Sequence, residues 1–333
     1  MPAHRVKGPP TDTGPAAAAV ARVLAGTPTS EAAKDAHLDP ELLERLLEVF
    51  TEAGYRAVDE HTAYEAWWQA DVEFDPHHRG AVQELTELLN AARSDGYVNG
   101  WWFLHKHPGW RLRLHLAAPD TRSRLQEALD ALVDHSTLHG WWPGVYEPET
   151  AAFGGSAGMG IAHELFCADS DNIARLEAEV ELPLGRKQIS VMLCTELMRA
   201  AGLEPVEHGD VWDLVCALRP LPDDVDPARV EAMLDPAKTL TGADTAPAGA
   251  MFGAGGPLQA HTAWAAAFSR AGYQLAGARR DGVLHRGIRQ VVAHHVIFHW
   301  NRLALPATAQ AALARAARAA ILDIPVHTEA SAP

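Results

Sequence analysis

A chain of 333 residues, 47% hydrophobic and 21% charged, has the composition of an ordinary globular protein able to bury a large core. Its 28 basic and 43 acidic side chains leave a formal charge of −15, which disfavours a surface for gripping tRNA or DNA. The N-terminus has no apolar signal core and no long uncharged apolar run follows, so a cytoplasmic protein that neither enters nor crosses a membrane is expected.

Residues 1–15, rich in Pro, Gly and Thr, are expected to be a disordered tail. Helical patterns follow over Ala16–Leu24, Ser30–Ala36 and Asp39–Ala53, with Thr29-Ser30 and Asp39-Pro40 as start signals. They predict a small helical appendage over residues 16–60. The acidic balance favours packing or peptide docking over a DNA-reading helix-turn-helix. Tyr64–Phe74 reads as an aromatic-rich strand ended by Asp75-Pro76. Ala81–Ala92 is an amphipathic helix with Val82, Leu85, Leu88 and Leu89 inward. A hairpin runs through Trp101–Lys106 and Trp110–Leu116, turning at Pro108-Gly109. A helix over Arg122–Leu138 and a strand over Trp141–Tyr146 complete the order strand–helix–strand–strand–helix–strand. That order predicts an α+β fold with an antiparallel sheet of split βαβ units, followed by a large helical portion. Helices are expected over Met159–Ala168, Asp171–Val180, Gly185–Ala201, Asp210–Leu218 and Pro227–Leu234. Residues 235–258 read as a linker, lid or disordered excursion. Helices around His261–Gly272, Gly287–Leu303 and Thr308–Leu322 close the main domain, residues 61–325, before a disordered tail over 326–333.

Chemistry concentrates in two stretches. Arg111-Leu112-Arg113-Leu114-His115 alternates, placing cationic or ionisable side chains on one strand face and leucines on the other. Two guanidiniums about 7 Å apart make a fork for carboxylates; a solvated strand face is the plainer alternative. In the second stretch, His299-Trp300-Asn301-Arg302, the imidazole can exchange a proton near neutral pH. Asn301 and Arg302 need partners if buried, and tie the helix to the sheet or bind substrate. His295 and His299 share a helix face at zinc-ligand spacing, but no Glu stands in the intervening turn and no third ligand is evident, so no metal is expected. The glycine-rich Phe153–Gly160 run lacks a P-loop ending and reads as a tight turn that lets Tyr146 and Glu147 approach the arginine strand. Cys167, Cys194 and Cys216 are odd in number and far apart, and read as reduced thiols.

Phe103-Leu104, Arg111-Leu112-Arg113, Tyr146-Glu147-Pro148-Glu149 with Phe153-Gly154-Gly155, Asp169-Ser170 and His299-Trp300-Asn301-Arg302 form an ordered set. Over roughly residues 63–322 this set resembles the C-terminal elimination domain of the lantibiotic dehydratases, also called the thiopeptide-type bacteriocin biosynthesis domain. The resemblance implies a cofactor-free lyase that removes glutamate from glutamylated Ser or Thr of a leader-bearing precursor peptide. In that reading Arg111, Arg113 and His299 are catalytic. Trp102, His105, Tyr146, Glu147, Asn301 and Arg302 bind substrate, with Trp110 and Trp142 as further cleft walls. A separate glutamylating dehydratase subunit is the implied partner, and a homodimer is left open. The chain departs from the family pattern at Ala152, where an arginine is usual, and at Ile297, where a second histidine is usual. Those departures leave room for two other readings: a pyridine synthase joining two dehydroalanines in a formal aza-[4+2] cycloaddition with leader release, and an inactive leader-binding scaffold.

Overall fold

The computed structural model describes residues 14–178 and 182–326, with residues 56–57, 59–65 and 177–178 described by backbone alone. Of the predicted tails, residues 1–13 and 327–333 lie outside the described residues, as does the end of the helix predicted to reach Val180, whereas Pro15 already starts a helix. The chain divides into two compact units, Met1–Glu65 and Ala66–Pro333.

In the first unit, α1 (Pro15–Leu24), α2 (Thr29–Asp35) and α3 (Pro40–Glu65) meet at Ala19, Val20, Ala32, Ala33 and Leu43. Four of these five are alanine or valine, so little side chain separates the helices. α3 continues well past the expected end at Ala53, since a lone Gly54 costs only about 1 kcal/mol and does not stop a helix. The strand expected from Tyr64 accordingly begins at Trp67.

The second unit opens with β1 (Trp67–Phe74), α4 (Ala81–Ser94), β2 (Val98–Lys106), β3 (Gly109–Leu116), α5 (Thr121–Asp134) and β4 (Leu138–Gly144). The strands form one antiparallel sheet in the order β2-β3-β1-β4, the split βαβ arrangement that the element order predicts. Register decides which residues share a face, because directly paired residues point the same way. Trp68, Ala70, Val72, Trp101, Phe103, Trp110, Leu112 and Leu114 form one face, all buried, and α4 and α5 pack on this sheet. The other face carries Trp67, Gln69 and Asp71 opposite His115, Arg113 and Arg111, with Trp102 opposite Arg113 from the far side.

Eight helices and a short 3-10 turn, Gln259–His261, follow among the described residues, the first seven being α6 (Ser156–Ala178), α7 (Arg186–Ala200), α8 (Pro205–Leu218), the short α9 (Pro227–Glu231) and α10 (Leu234–Gly242), then α11 (Thr262–Arg280) and α12 (Ile288–Arg302). α13 (Ala307–Leu322) closes the fold. α6 is one helix where the sequence predicts two. It docks on β2, where the Phe103 amide donates to Ser170 Oγ at 3.2 Å. At Gly100 a side chain would meet Cys167 Sγ 3.0 Å away. α12 is buried on almost all sides, and Trp300 fixes its depth by donating to Ser190 Oγ at 2.7 Å while stacking on Trp212.

Candidate active site

Each arginine of β3 is held by the residue paired to it on β1. Arg113 Nε donates to Gln69 Oε1 at 3.2 Å, and Arg111 Nε donates to Asp71 Oδ1 at 3.3 Å. The two are not a symmetric fork. Arg111 is part-exposed and its charge is balanced by Asp71. Arg113 is 4% exposed, with its guanidinium 4.2 Å above the Trp102 ring and 5.3 Å from the Tyr146 ring. Its Nη1 has no hydrogen-bond partner among the described residues. Burial lowers the Arg113 pKa to about 10, so the group remains a cation at neutral pH while costing desolvation that a bound anion would offset.

Tyr146 reaches this cation from the connector after β4. Its hydroxyl lies 2.6 Å from Nε2 of His163 on α6. Trp67 closes the cluster, stacked on His115 at 5.0 Å and 4.4 Å from the His163 ring. Burial, with smaller contributions from His115 and Arg113, pushes the His163 pKa down to about 3, so the imidazole is neutral. The Phe153-Gly154-Gly155 turn anchors the far end of the connector. Both glycines have positive φ, the Gly154 carbonyl accepts from the His285 amide at 2.7 Å, and Phe153 packs edge-on to Phe166, His295 and Phe298.

A second polar centre surrounds Asp169 of α6, which is fully buried. Arg302 Nε donates to Asp169 Oδ2 at 2.6 Å, Trp264 Nε1 donates to Oδ1 at 2.8 Å, and His299 Nδ1 lies 2.9 and 3.0 Å from the two oxygens. Burial opposes the Asp169 charge, but His299 and Arg302 outweigh it and hold the carboxyl below its ordinary range. His299 is 0% exposed and lies against Phe268 and Trp264. Among the described residues the two centres are linked through rings: Arg113 stacks on Trp102, the Trp102 ring is 4.8 Å from Phe166, and Arg302 stacks on Phe166 at 4.3 Å. His299, fully buried, and Arg113, 4% exposed, thus sit in two polar centres bridged by the Trp102 and Phe166 rings.

The remaining expected residues scatter. Trp102 and Tyr146 stand beside Arg113, and Arg302 belongs to the Asp169 centre. His105 lies on the opposite sheet face, edge-on to Phe103 and Trp110, with its pKa pushed down to about 4 by burial and then by Arg186. Trp110 is in that same buried layer, and Trp142 is largely exposed. Glu147 is exposed, and Asn301 faces α13, accepting from Gln310 Nε2 at 3.1 Å. His295 sits in the core against Phe153, and among the described residues no cluster of three or more His, Cys, Asp or Glu is placed to hold a metal ion. Sequence reasoning missed Gln69 and His163, and placed Asp169 in the ordered motif set without giving it a role. A signal existed for His163: with Phe166, Ser170 and Ile173 it follows the helical spacing of a buried stripe.

The lantibiotic biosynthesis dehydratase C-term family model matches residues 67–321. No curated protein sequence matches the chain. Among solved structures, the tRNA-dependent lantibiotic dehydratase MibB from Microbispora sp. 107891 superposes with a TM-score of 0.57 at 19% identity, over 78% of this chain and 28% of MibB. The chain thus spans under a third of that enzyme's length, and the likeness is one of fold. TsrL is matched over 78% of this chain and 96% of its own, with a TM-score of 0.45 at 17% identity. The family match begins at the first residue of β1 and ends inside α13, taking in the sheet and both polar centres; the chain belongs to the lantibiotic biosynthesis dehydratase C-terminal family.

Proposed function

We propose that the chain eliminates glutamate from glutamylated Ser or Thr in a leader-bearing precursor peptide, leaving dehydroalanine or dehydrobutyrine. One observation carries the reading: Arg113 is a buried, partly unsatisfied cation walled by Trp102 and Tyr146. Elimination removes the Cα proton, forms the Cα–Cβ double bond and breaks the Cβ–O bond, so the negative charge ends on the departing glutamate carboxylate. A desolvated guanidinium stabilises that charge far better than water-exposed Lys or Arg, and it cannot itself act as a base at neutral pH. The peptide reaches this site already acylated, and the formal charge of −15 supports a division of labour in which a separate subunit handles glutamyl-tRNA.

The second reading, aza-[4+2] cycloaddition of two dehydroalanines with loss of water and leader, is favoured by the pairing of Arg111 with Asp71. With Arg111 neutralised and Ala152 in place of an arginine, fewer cations face the substrate than a dedicated glutamate clamp would use. Mass spectrometry separates the readings. A glutamylated precursor peptide should lose glutamate on incubation with the protein, whereas a peptide bearing preformed dehydroalanines should stay unchanged. Leader release and a macrocycle from the second peptide would instead support cycloaddition, and binding without chemistry would leave a scaffold. Arg113→Ala should lower elimination by about 100-fold, the scale of losing one charge-stabilising donor, in a protein whose circular dichroism melt shows it folded.

A further inference from the structure

The elimination needs a base for the Cα proton. His299 is fully buried and engages Asp169 through Nδ1, and the Arg113 cluster offers a second candidate.

We propose that Tyr146 is the general base, acting as a phenolate held between Arg113 and the Nε2–H of His163; this rests on the glutamate-elimination reading. The geometry is specific. The Tyr146 oxygen is 2.6 Å from His163 Nε2, the Arg113 guanidinium is 5.3 Å from the phenol ring, and the Trp67 and Trp102 rings stand 6.0 and 5.9 Å from it. Indole walls lower the local dielectric, so the guanidinium acts strongly on a phenolate oxygen. A neutral imidazole carries one N–H; placed on Nε2 it donates to that oxygen. The burial that keeps His163 neutral also makes it a poor proton acceptor, so the proton-abstracting group is the phenol and His163 is a positioning residue. The charged groups that act on Arg113 and His163, the neighbours of Tyr146, include Arg111 and His115 from β3, Asp71 from β1 and Glu149 from the connector. Arg111 and Asp71 pair with each other, and the Arg113 guanidinium stands 5.3 Å from the Tyr146 ring.

Charge then balances through one guanidinium. The phenolate takes the Cα proton, the C–H electron pair becomes the Cα–Cβ double bond, and the Cβ–O pair departs with glutamate. Negative charge leaves the Tyr146 oxygen as it appears on the leaving carboxylate, and Arg113 faces both, with Nη1 unpartnered among the described residues. Tyr146 returns its proton to solvent to reset the site.

Full-length protein and a peptide with one glutamylated serine provide the test. Tyr146→Phe should lower kcat by about 100-fold or more, the range of a lost general base, while keeping the circular dichroism melt of the parent. The kcat of the parent should rise with pH as the phenolate forms. His163→Phe should move that limb to higher pH, and His163→Gln, which keeps an N–H donor, should move it back. A limb that stays in place while kcat falls at every pH would reduce His163 to packing and overturn its role. Independently of turnover, alkaline difference spectra of the parent against Tyr146→Phe should show this phenol ionising below the free value of about 10. Ionisation at or above that value, or more than half the parental rate in Tyr146→Phe, overturns the base. A parent protein that releases no glutamate at all overturns the elimination reading itself and the base with it. That result is distinguishable because the failure appears before any substitution is made.

Discussion

Asp169 shows what a single residue does here. It is a fully buried carboxylate whose donors come from residues 95, 130 and 133 positions away, Trp264, His299 and Arg302. One acidic group thus pins α6, α11 and α12 to one another. Its removal would leave Arg302 buried without its counterion, in a place where Nη1 and Nη2 have no partner among the described residues. Breaking one side of a buried pair costs about 3–5 kcal/mol, so Asp169→Asn should lower the unfolding free energy by that amount in urea titration. A loss under about 1 kcal/mol would show that the three helices are held by packing alone. None of this is legible locally. The cationic face of β3 can be read from five consecutive residues, because strand alternation is a local rule, and Tyr146 beside Arg113 follows from the short connector after β4. Asp169-Ser170 belongs to the ordered motif set, but locally Asp169 is one acid in an Asp-Ser-Asp run, and what makes it central lies more than 90 residues downstream.

The same run misleads at the scale of the element. Asp169-Ser170-Asp171 reads as a helix boundary because such side chains favour caps and turns over helix interiors. In the fold each finds a remote partner instead: Asp169 the α12 pair, Ser170 the Phe103 amide, and Asp171 the Arg93 guanidinium at 2.7 Å. The helix therefore runs unbroken from Ser156. Residues 235–258 depart from the loop prediction only at their start, where α10 runs to Gly242. Low periodicity hides α10 and a turn-rich segment fixed by Arg199, which donates to Ala243, Thr241 and Thr245, with Phe252 and Leu258 buried. The start of α6 offers a sharp test of how the connector is anchored. A Cβ at Gly158 would stand 1.8 Å from the Phe153 carbonyl oxygen and 3.0 Å from Leu284, whereas nothing lies within 4 Å of one at Gly160. Gly158→Ala should cost about 1–3 kcal/mol as the Phe153 turn is pushed off the helix, and should slow peptide turnover by displacing the connector that carries Tyr146. Gly160→Ala, inside the same helix, should be neutral or stabilising by up to about 1 kcal/mol. Equal urea midpoints for the two variants would mean that the turn is not fixed by contact with α6.

Across the molecule, the antiparallel sheet and the helical portion follow from local alternation and amphipathic spacing, whereas the way the helices from Ser156 onward enclose their polar groups does not. That enclosure sets how the protein responds to acid. His105, His163 and His295 are all buried, with pKa values pushed down to about 4, 3 and 3, in each case chiefly by desolvation. A histidine whose folded pKa lies below its unfolded value of about 6.5 binds its proton in the unfolded chain first. Its neutral form contributes stability that is fully present above about pH 6.5 and is lost as pH falls toward the folded value. Each proton taken up on unfolding contributes a slope of about 1.4 kcal/mol per pH unit. Asp169 adds a later loss, since its lowered pKa gives stability that disappears only as pH falls through the carboxylate range. The urea midpoint should therefore begin to fall between pH 7 and 5, before most carboxylates titrate. His295 suits the test, because neither ring nitrogen has a partner among the described residues and burial against Phe153 and Phe166 is the largest cause of its lowered pKa, ahead of the charges of Arg302, His294 and Asp169. Replacing a buried polar group that makes no hydrogen bond with an apolar one of similar volume is neutral or stabilising, so His295→Leu should match the parent or exceed it at pH 7. At pH 5 it should be clearly more stable, with a shallower slope between the two. If parent and variant lose stability in parallel, protonation of His295 is not what opens the core in acid.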